Sequence, residues 1–567
     1  MNPPPVIVLG IHDGHNAGAA LLKNGKIVAA IQEERLNNVK NWSGPPVGSI
    51  KKVFEVAQIH PSDLTTIGVS GLLRTHAPVS ERPLQVKMYE KFAFLFKGHR
   101  ATRWLVSYLH KFRKFEDVQR VLRELGVENV EISFIEHHVA HAASGYYTRP
   151  WENESLILTL DGAGDGLCSS VAVSEGSGMK RIASTTAYNS PANVLYSEIT
   201  GYLGMKRWEH EYKVMGLAPY GKDGYCLDRI RSIVRVDPKN PLEFENTSGR
   251  YLMQIQSKLQ KMLAGERFDN VAAATQRHFE DMVCRWVEAA IGHTGRARIV
   301  CAGGAFLNVK ANKLLREMPE VADCYFYPAA SDEGTAIGAA FEAYRAYCLR
   351  EGVSFRRDPM PPLYHGESFD DESVLAALRA GGLDHKADIV NDPEGAVADL
   401  LAAGKVVARF SGPGEWGPRA LGNRSILAKP DDLKVVKKIN TAIKQRDFWM
   451  PFAPSILESR AGDYLVNCHF APYMIEAFDT TNEAVEIIAA LHPQDMTARP
   501  QIVNNWNVEY RKLLEDFENK TGIGGILNTS FNLHGSPIVG SPELAIRTFE
   551  HSHLDSLVLG HFLLEKK

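Results

Sequence analysis

The chain reads as short apolar runs that stop at glycine. Val6-Ile-Val-Leu-Gly-Ile11 predicts a strand, Gly14-His-Asn-Ala-Gly18 a tight loop, Ala19-Ala-Leu-Leu22 a second strand, Asn24-Gly25 a hairpin turn and Lys26-Ile-Val-Ala-Ala-Ile31 a third strand. The same order returns later. Leu156-Ile-Leu-Thr-Leu160 runs into the glycine loop Asp161-Gly-Ala-Gly-Asp-Gly166, then Ser169-Ser-Val-Ala-Val173, the turn-rich Ser174-Glu-Gly-Ser-Gly178 and Met179-Lys-Arg-Ile-Ala183. Between the repeats, apolar positions at helical spacing predict an insertion of amphipathic helices over about 75–125, with a basic and aromatic stretch from residue 84 onward. Further along, Ile299-Val-Cys301 ends at Gly303 and Gly304, and Cys324-Tyr-Phe-Tyr327 is followed by Asp332-Glu-Gly334 and Gly338.

Two strand, glycine-loop, strand, turn, strand units joined by helical sequence are the plan of a duplicated actin-like ATPase core, whose loop N–H groups face a nucleotide's phosphates from both sides. Gly25 and Gly178 read instead as turn glycines that need positive φ. Gly303 and Gly304 occupy a strand-to-helix turn, where the backbone can approach a phosphate or ribose. Asn308 and Asn312, at i and i+4, would face that same side, and Gly334 repeats the theme. Arg356-Arg-Asp-Pro-Met-Pro-Pro362 breaks the preceding helix, so the expected domains are residues 1–355 and 366–567. A length of 567 residues itself calls for more than one core.

Composition narrows the function by exclusion. With 44% hydrophobic and 23% charged residues the chain is ordinary for a globular protein, and a formal net charge of -3 gives no electrostatic case for nucleic acid. Seven scattered cysteines, never spaced C-x-x-C, indicate neither a disulfide framework nor a thiolate zinc site and suit a reducing cytosol. No apolar run reaches the roughly 18 to 20 residues of a membrane span, and Met1-Asn-Pro-Pro-Pro lacks the features of a leader, so a cytoplasmic protein without a membrane partner is expected.

Against that background two groups of residues carry chemistry. In Ile135-Glu-His-His-Val-Ala-His-Ala-Ala-Ser144, His137 and His141 share one helix face. Asp161 and Asp332 are the carboxylates on offer to complete a divalent site, and two imidazoles with carboxylate suit Fe(II), Mn(II) or Zn(II) with a position left open. In the second half, Arg419 and Arg424 follow a strand in the glycine-proline loop Ser411-Gly-Pro-Gly-Glu-Trp-Gly-Pro-Arg-Ala-Leu-Gly-Asn-Arg424, and Lys444 and Arg446 come soon after. Four cations around glycine turns suit phosphate and triphosphate anions.

Gly14-His-Asn-Ala-Gly-Ala-Ala-Leu-Leu22, Glu136-His-His-Val-Ala-His-Ala142, Lys213-Val-Met-Gly-Leu-Ala-Pro-Tyr-Gly221, Gly303-Gly-Ala-Phe-Leu-Asn308 and Asn528-Thr-Ser-Phe-Asn532 together resemble the NodU/CmcH/TobZ carbamoyltransferases over nearly the whole chain. The resemblance implies an α/β protein with an N-terminal Kae1-like domain of the duplicated actin-like ATPase fold and a C-terminal YrdC-like domain. It implies that carbamoyl phosphate and Mg-ATP form carbamoyl adenylate in the C-terminal domain, and that a hydroxyl of a small-molecule acceptor is carbamoylated in the N-terminal one. On this reading His137, His141, Asp161 and Asp332 hold a divalent metal, Fe(II) ahead of Mn(II) or Zn(II), and His15 is the base for the acceptor hydroxyl. Arg419, Arg424 and Arg499 meet carbamoyl phosphate, with Arg419 and Arg424 also catalytic. Lys40, Gly303, Gly304, Asn308, Gly334, Lys444, Arg446, Asn528, Ser530 and Asn532 meet the nucleotide, and Gln501 is a further polar contact beside Arg499. The family's first loop reads His-Asp-Ala-Ser; this chain has His15-Asn-Ala-Gly18, without the carboxylate and the hydroxyl. The rival expectations are a threonylcarbamoyl-type transfer to tRNA and a non-catalytic nucleotide-dependent binding protein. A homodimer is a further expectation for the chain.

Overall fold

The computed structural model describes residues 4–72, 119–127, 129–444 and 446–566, so the insertion expected over 75–125 lies almost wholly outside the described residues. Contacts divide the chain into two compact units, Met1–Ala30 with Trp42–Pro361 and Ile31–Asn41 with Pro362–Lys567. The segment Ile31–Asn41, which the linker signal leaves in the first domain, groups with the second. Its Arg35 donates to the Gly417 carbonyl at 2.7 Å, and a side chain on Gly540 would overlap the Arg35 carbonyl.

The first unit is built twice over. Strands β1 (Ile7–His12), β2 (Gly18–Lys23), β3 (Lys26–Gln32), β4 (Thr66–Ser70) and β5 (Glu131–Ile135) form a sheet of order β3-β2-β1-β4-β5, with β1 antiparallel to β2 and parallel to β4. Strands β6 (Leu156–Gly164), β7 (Leu167–Glu175), β8 (Gly178–Thr186), β11 (Arg298–Ala302) and β12 (Asp323–Phe326) repeat it in the order β8-β7-β6-β11-β12; β9 (Val234–Val236) and β10 (Phe244–Asn246) make a separate ribbon. The shared order and strand directions are those of the duplicated actin-like fold. Asn24 and Gly25 both have positive φ, 52° and 82°, as the two-residue turn between β2 and β3 requires. One expectation is corrected. Strand β6 does not end at Leu160 but runs to Gly164, with pairing to β7 interrupted between Leu160 and Gly164, so Asp161–Ala163 form a bulge within a strand and not a free glycine loop.

Every residue of β1 is buried, as expected for a parallel strand covered on both faces. Its cover is the central helix Gly334–Glu351, which also packs on the histidine helix His137–Thr148. The approach is close enough to reach backbone. A Cβ on Gly10 or Gly68 would overlap the carbonyl of Ala336 or Ala339, and one on Gly338 would overlap the carbonyl of Ala140. Gly334 likewise abuts the Ala329 carbonyl and the Tyr327 ring, which accounts for a glycine there without a ligand.

The second unit is an α/β sandwich around an eight-stranded mixed sheet of order β13-β20-β19-β14-β15-β18-β16-β17. Its strands are β13 (Asp388–Ile389), β14 (Val407–Phe410), β15 (Arg424–Ala428), β16 (Ala453–Leu457), β17 (Gln501–Val503), β18 (Gly525–Ser530), β19 (Ser556–Leu559) and β20 (Phe562–Glu565). Helices Pro393–Ala402 and Val508–Thr521 bury Val397, Leu401, Leu513 and Phe517 in one core; Asp371–Ala380 and Pro542–Glu550 bury Leu378, Ile546 and Phe549 in another.

Gly338 and Gly292 lie in helices with opposite surroundings, since nothing lies within 4 Å of where a Gly292 side chain would start. Gly338→Ala is expected to destabilise the protein by about 1–3 kcal/mol through overpacking, whereas Gly292→Ala is expected to stabilise it by about 0.5–1 kcal/mol through helix propensity. Urea unfolding of the two variants checks the signs.

Candidate metal centre and anion site

In the first unit one ligand atom from each of His137, His141, Asp161 and Asp332 lies within 4.8 Å of all the others. The two imidazole Nε2 atoms are 3.0 Å apart, Asp332 Oδ1 lies 3.4 Å from His141 Nε2 and 3.5 Å from His137 Nε2, and Asp161 Oδ2 lies 3.4 Å from His137 Nε2. Bonds of about 2.0–2.2 Å to a divalent ion set neighbouring ligand atoms about 3.0 Å apart at right angles and about 3.4 Å apart at the tetrahedral angle. The donor set therefore fits one ion bound by two neutral imidazoles and two carboxylates.

His137 and Asp161 are held from behind. The histidine helix begins where Glu136 accepts the Val139 N–H at 3.1 Å and Asp165 accepts the His137 N–H at 2.7 Å. Gly164, on the bulged end of β6, leaves the space filled by the His137 ring, which a Cβ there would overlap. Asp161 Oδ1 accepts the Gly304 N–H at 3.1 Å, which orients its other oxygen toward His137, and Ser190 Oγ donates to the Asp161 carbonyl at 3.2 Å. This assigns Gly303 and Gly304 a different task from the expected nucleotide cradle. A Cβ on Gly303, whose φ is 102°, would overlap the Leu160 carbonyl, and Gly304 serves the Asp161 carboxylate.

The charges match a cation. Burial pulls the His137 pKa down, but the carboxylates of Asp332, Asp161 and Asp165 outweigh it and raise it to about 10. Burial would raise Asp332 and Asp161, yet the histidines hold both below the usual carboxylate range. A third imidazole joins them. His12, the last residue of β1, has its ring 6.4 Å from that of His137 and its Nε2 4.0 Å from Asp332 Oδ2, and burial lowers its pKa to about 3. No motif singles His12 out; its signal is its position at the carboxyl end of a buried strand. His12 Nε2 pairs with the His15 carbonyl at 3.0 Å, and so places the loop that carries the His15 side chain. Asn16, in that loop with φ of 59°, donates toward Ser331 Oγ at 3.3 Å and Glu333 Oε2 at 3.4 Å, on either side of Asp332. Asn308 is engaged internally: it caps its helix at Ala311 N and exchanges two hydrogen bonds with Gln276 at 2.9 and 3.0 Å. Asn312 is fully buried and donates to the Phe306 carbonyl at 2.7 Å, a second internal use.

In the second unit the cations separate into two kinds. Burial, then the positive charges of Arg419 and Arg446, push Arg499 well below its usual pKa; burial, then Arg446 and Lys40, do the same to Lys444. Lys444 donates to the Ser530 carbonyl and the Asn532 side chain, neutral acceptors that leave its charge unbalanced. Lys444 with Arg446 and Lys40, and Arg499 with Arg419 and Arg446, thus act on one another with like sign, an arrangement that a bound anion would relieve. Arg424 departs from the expectation that placed it with Arg419. As the first residue of β15 it turns inward, stacks 3.7 Å over the Phe410 ring and donates to the carbonyls of Ser411, Asn423 and Glu367 at 2.8, 3.0 and 3.1 Å, so its guanidinium fastens the loop. Asn528 is a buried network residue that donates to the Ala420 carbonyl at 3.2 Å and Ser455 Oγ at 3.0 Å, and Gln501 joins it by donating to the Leu421 carbonyl at 2.9 Å. Glu415, which no motif marks, accepts the N–H groups of Leu421, Asn423 and Arg424 at 2.8, 2.9 and 3.1 Å and so shapes the same loop.

Two family models match the chain, Carbamoyltransferase N-terminus over residues 7–341 and Carbamoyltransferase C-terminus over residues 398–566. Nodulation protein NolNO of Sinorhizobium fredii is 32% identical, covering 98% of this chain and 79% of that protein. Nodulation protein NolO of Bradyrhizobium diazoefficiens is 33% identical over 76% of this chain and 79% of its own, and an uncharacterised protein of Synechocystis sp. is 32% identical over 97% and 95%. Among solved structures, HypF of T. kodakarensis aligns at a TM-score of 0.36 with 14% identity, over 64% of this chain and 50% of that one, too weak a likeness to add to the strand topology.

Because His137 must lose a proton to become a ligand, divalent ion binding near neutral pH is expected to release about one proton per site. Calorimetric titration in buffers of different ionisation enthalpy measures it. A raised pKa also has a sign for stability. In the chelated protein the His137 contribution is complete below pH 6.5 and lost as pH rises toward about 10, so chelated protein should lose melting temperature over that window relative to ion-loaded protein. Gly164→Ala, by displacing the His137 ring, is expected to weaken ion affinity by about 10- to 100-fold.

Proposed function

We propose, from the premise that the chain belongs to the carbamoyltransferase family, that it transfers a carbamoyl group to a hydroxyl of a small natural-product acceptor with carbamoyl phosphate and ATP as co-substrates. The observation that carries this reading is the set of like-charged side chains Lys40, Arg419, Lys444, Arg446 and Arg499 in the second unit, with Lys444 buried and the other four half-buried, a set that favours anionic ligands. Arg419 and Arg499 would hold carbamoyl phosphate, and Lys444 and Arg446 with Ser530 and Asn532 would hold the nucleotide phosphates. One water cleaves carbamoyl phosphate to carbamate and phosphate. A carbamate oxygen then attacks the α-phosphorus of ATP, pyrophosphate leaves, and carbamoyl adenylate results.

Transfer is proposed in the first unit. His137, His141, Asp161 and Asp332 would hold a divalent ion, Fe(II), Mn(II) or Zn(II), which when bound polarises an acyl phosphate and offsets charge on its leaving group. His15 would accept the proton of the acceptor hydroxyl as its oxygen bonds to the carbamoyl carbon, and AMP departs. His12, kept neutral by burial, would hold the His15 loop through its bond to the His15 carbonyl. Asn16 takes no acid–base part, since an amide cannot titrate, and steadies the segment that carries Asp332.

Pyrophosphate release from ATP plus carbamoyl phosphate, with no acceptor, tests the division of labour. Arg499→Ala is expected to reduce it by at least about 100-fold, the order of a lost charge-assisted contact to a buried anion. His141→Ala should keep most of it while abolishing carbamoylation of an added acceptor. Wild-type protein that releases no pyrophosphate in response to carbamoyl phosphate would sink this reading.

A further inference from the structure

Within the second unit, the segment Ile31–Asn41 meets both loops that carry the anion site. Its one-turn helix Glu34–Asn37 stops at Asn38, and the chain bends there and again at Asn41, with left-handed φ values of 55° and 54°. Glu34, which is buried, closes the bend: one carboxylate oxygen accepts the Asn41 N–H at 2.8 Å and the other accepts from Arg35 Nη1 at 3.0 Å. Arg35 is thereby matched in charge, and its second terminal nitrogen donates to neutral oxygens, Gln32 Oε1 at 3.1 Å and the Gly417 carbonyl at 2.7 Å. Gly417, with φ of 98°, stands two residues before Arg419 in the glycine-proline loop. The main chain of Arg35 meets the other loop. Its carbonyl lies against Gly540, where a Cβ would overlap it. That loop is closed on itself, since the Val539 N–H donates to the Phe531 carbonyl at 3.0 Å and Asn532 Nδ2 donates to the Ser536 carbonyl at 2.6 Å, and its Ser530 and Asn532 accept from Lys444.

We propose that Arg35 is a positioning residue for the anion site: by side chain and main chain it straps the loop of Arg419 to the loop of Asn532, and through Glu34 it holds the bend that carries Lys40. This inference deepens the carbamoyltransferase reading and rests on it for the identity of the anions. Cations of like sign push one another apart, so a site made of them needs a frame that does not itself compete for the ligand. Arg35 meets that condition, because Glu34 balances its charge and its donors are spent on protein oxygens. The planar fork of an arginine reaches the three acceptors at once, whereas a lysine offers a single point of attachment. A glycine-proline loop gains most from such an outside anchor, since its own residues offer few side chains to hold it.

The test uses the full-length chain, with calorimetric binding of magnesium pyrophosphate as the probe of the site and pyrophosphate release from ATP plus carbamoyl phosphate as the kinetic readout. Arg35→Met, which keeps the bulk of the side chain and removes its donors, is expected to weaken pyrophosphate binding about tenfold and to raise the KM for carbamoyl phosphate by a similar factor, the order at which outer-shell partners act. Arg35→Lys should recover part of both losses. Melting curves establish that the variants fold, and if Arg35→Met does not, Arg35→Lys decides by the same two numbers against wild type. A merely structural role would lower kcat, through fewer folded molecules, at unchanged affinity and KM. That result, or wild-type affinity and KM in folded Arg35→Met, would overturn the strap. Wild type that binds pyrophosphate but releases none from ATP with carbamoyl phosphate would remove the carbamoyltransferase reading, and weakened binding in Arg35→Met would then still support the strap. Wild type that does not bind pyrophosphate would remove both.

Discussion

The seating of the central helix Gly334–Glu351 on β1, β4 and the histidine helix fixes where the metal ligands can be, because Asp332 stands just before that helix and His137 and His141 on the neighbour it touches. Backbone meets backbone at Gly10, Gly68 and Gly338, so the distance between the helices is set by peptide groups and not by adaptable side chains. A packed contact of this kind has little room to relax. The ligand set inherits that stiffness, which is why four donors from separate parts of the sequence can stand at coordination distances. The bulge at Asp161–Ala163 completes the arrangement, by turning Asp161 out of the strand and leaving a glycine where the His137 ring must fit.

The second unit follows a different principle. Its site is defined by what it lacks: the charges acting on Lys444 and Arg499 are positive, and the bonds of Lys444 go to neutral oxygens. Arg409 shows the contrast within the same unit, since it is equally buried but is matched by Glu394 and Glu509. Arg409 is matched within the fold, whereas an anion would relieve the like charges that act on Lys444 and Arg499. Glu415 and Arg424 belong to the scaffold of that site, one gathering N–H groups and the other carbonyls of a loop too rich in glycine and proline to hold its shape unaided.

The duplicated strand pattern was legible in the sequence because glycine turns and apolar runs are local signals, and the Asn24-Gly25 turn and the first three strands lie where the pattern puts them. The i, i+4 pair His137 and His141 was legible for the same reason. What local patterns could not tell is which contact each glycine answers to. Gly303, Gly304, Gly334 and Gly338 look alike as a theme, yet each is explained by a different piece of protein backbone or carboxylate lying against it. The role of Arg424 was hidden for a related cause, since an arginine after a glycine loop can turn outward to an anion or inward to the loop's own carbonyls, and only the fold of β15 decides. His12 acts through long-range placement that no spacing rule encodes, and Glu415 acts within its own loop, on the N–H groups of Leu421, Asn423 and Arg424.

The membership of Ile31–Asn41 in the second unit gives the chain an unusual order of assembly. This segment, with Lys40 on it, is synthesised near the beginning, whereas the unit it groups with is finished only when β20 emerges at the end. Contacts between such distant parts of a sequence form late and slowly. No single cut can therefore release the second unit whole, and a nascent chain cannot bring Lys40 together with Lys444 and Arg499 until translation is nearly over.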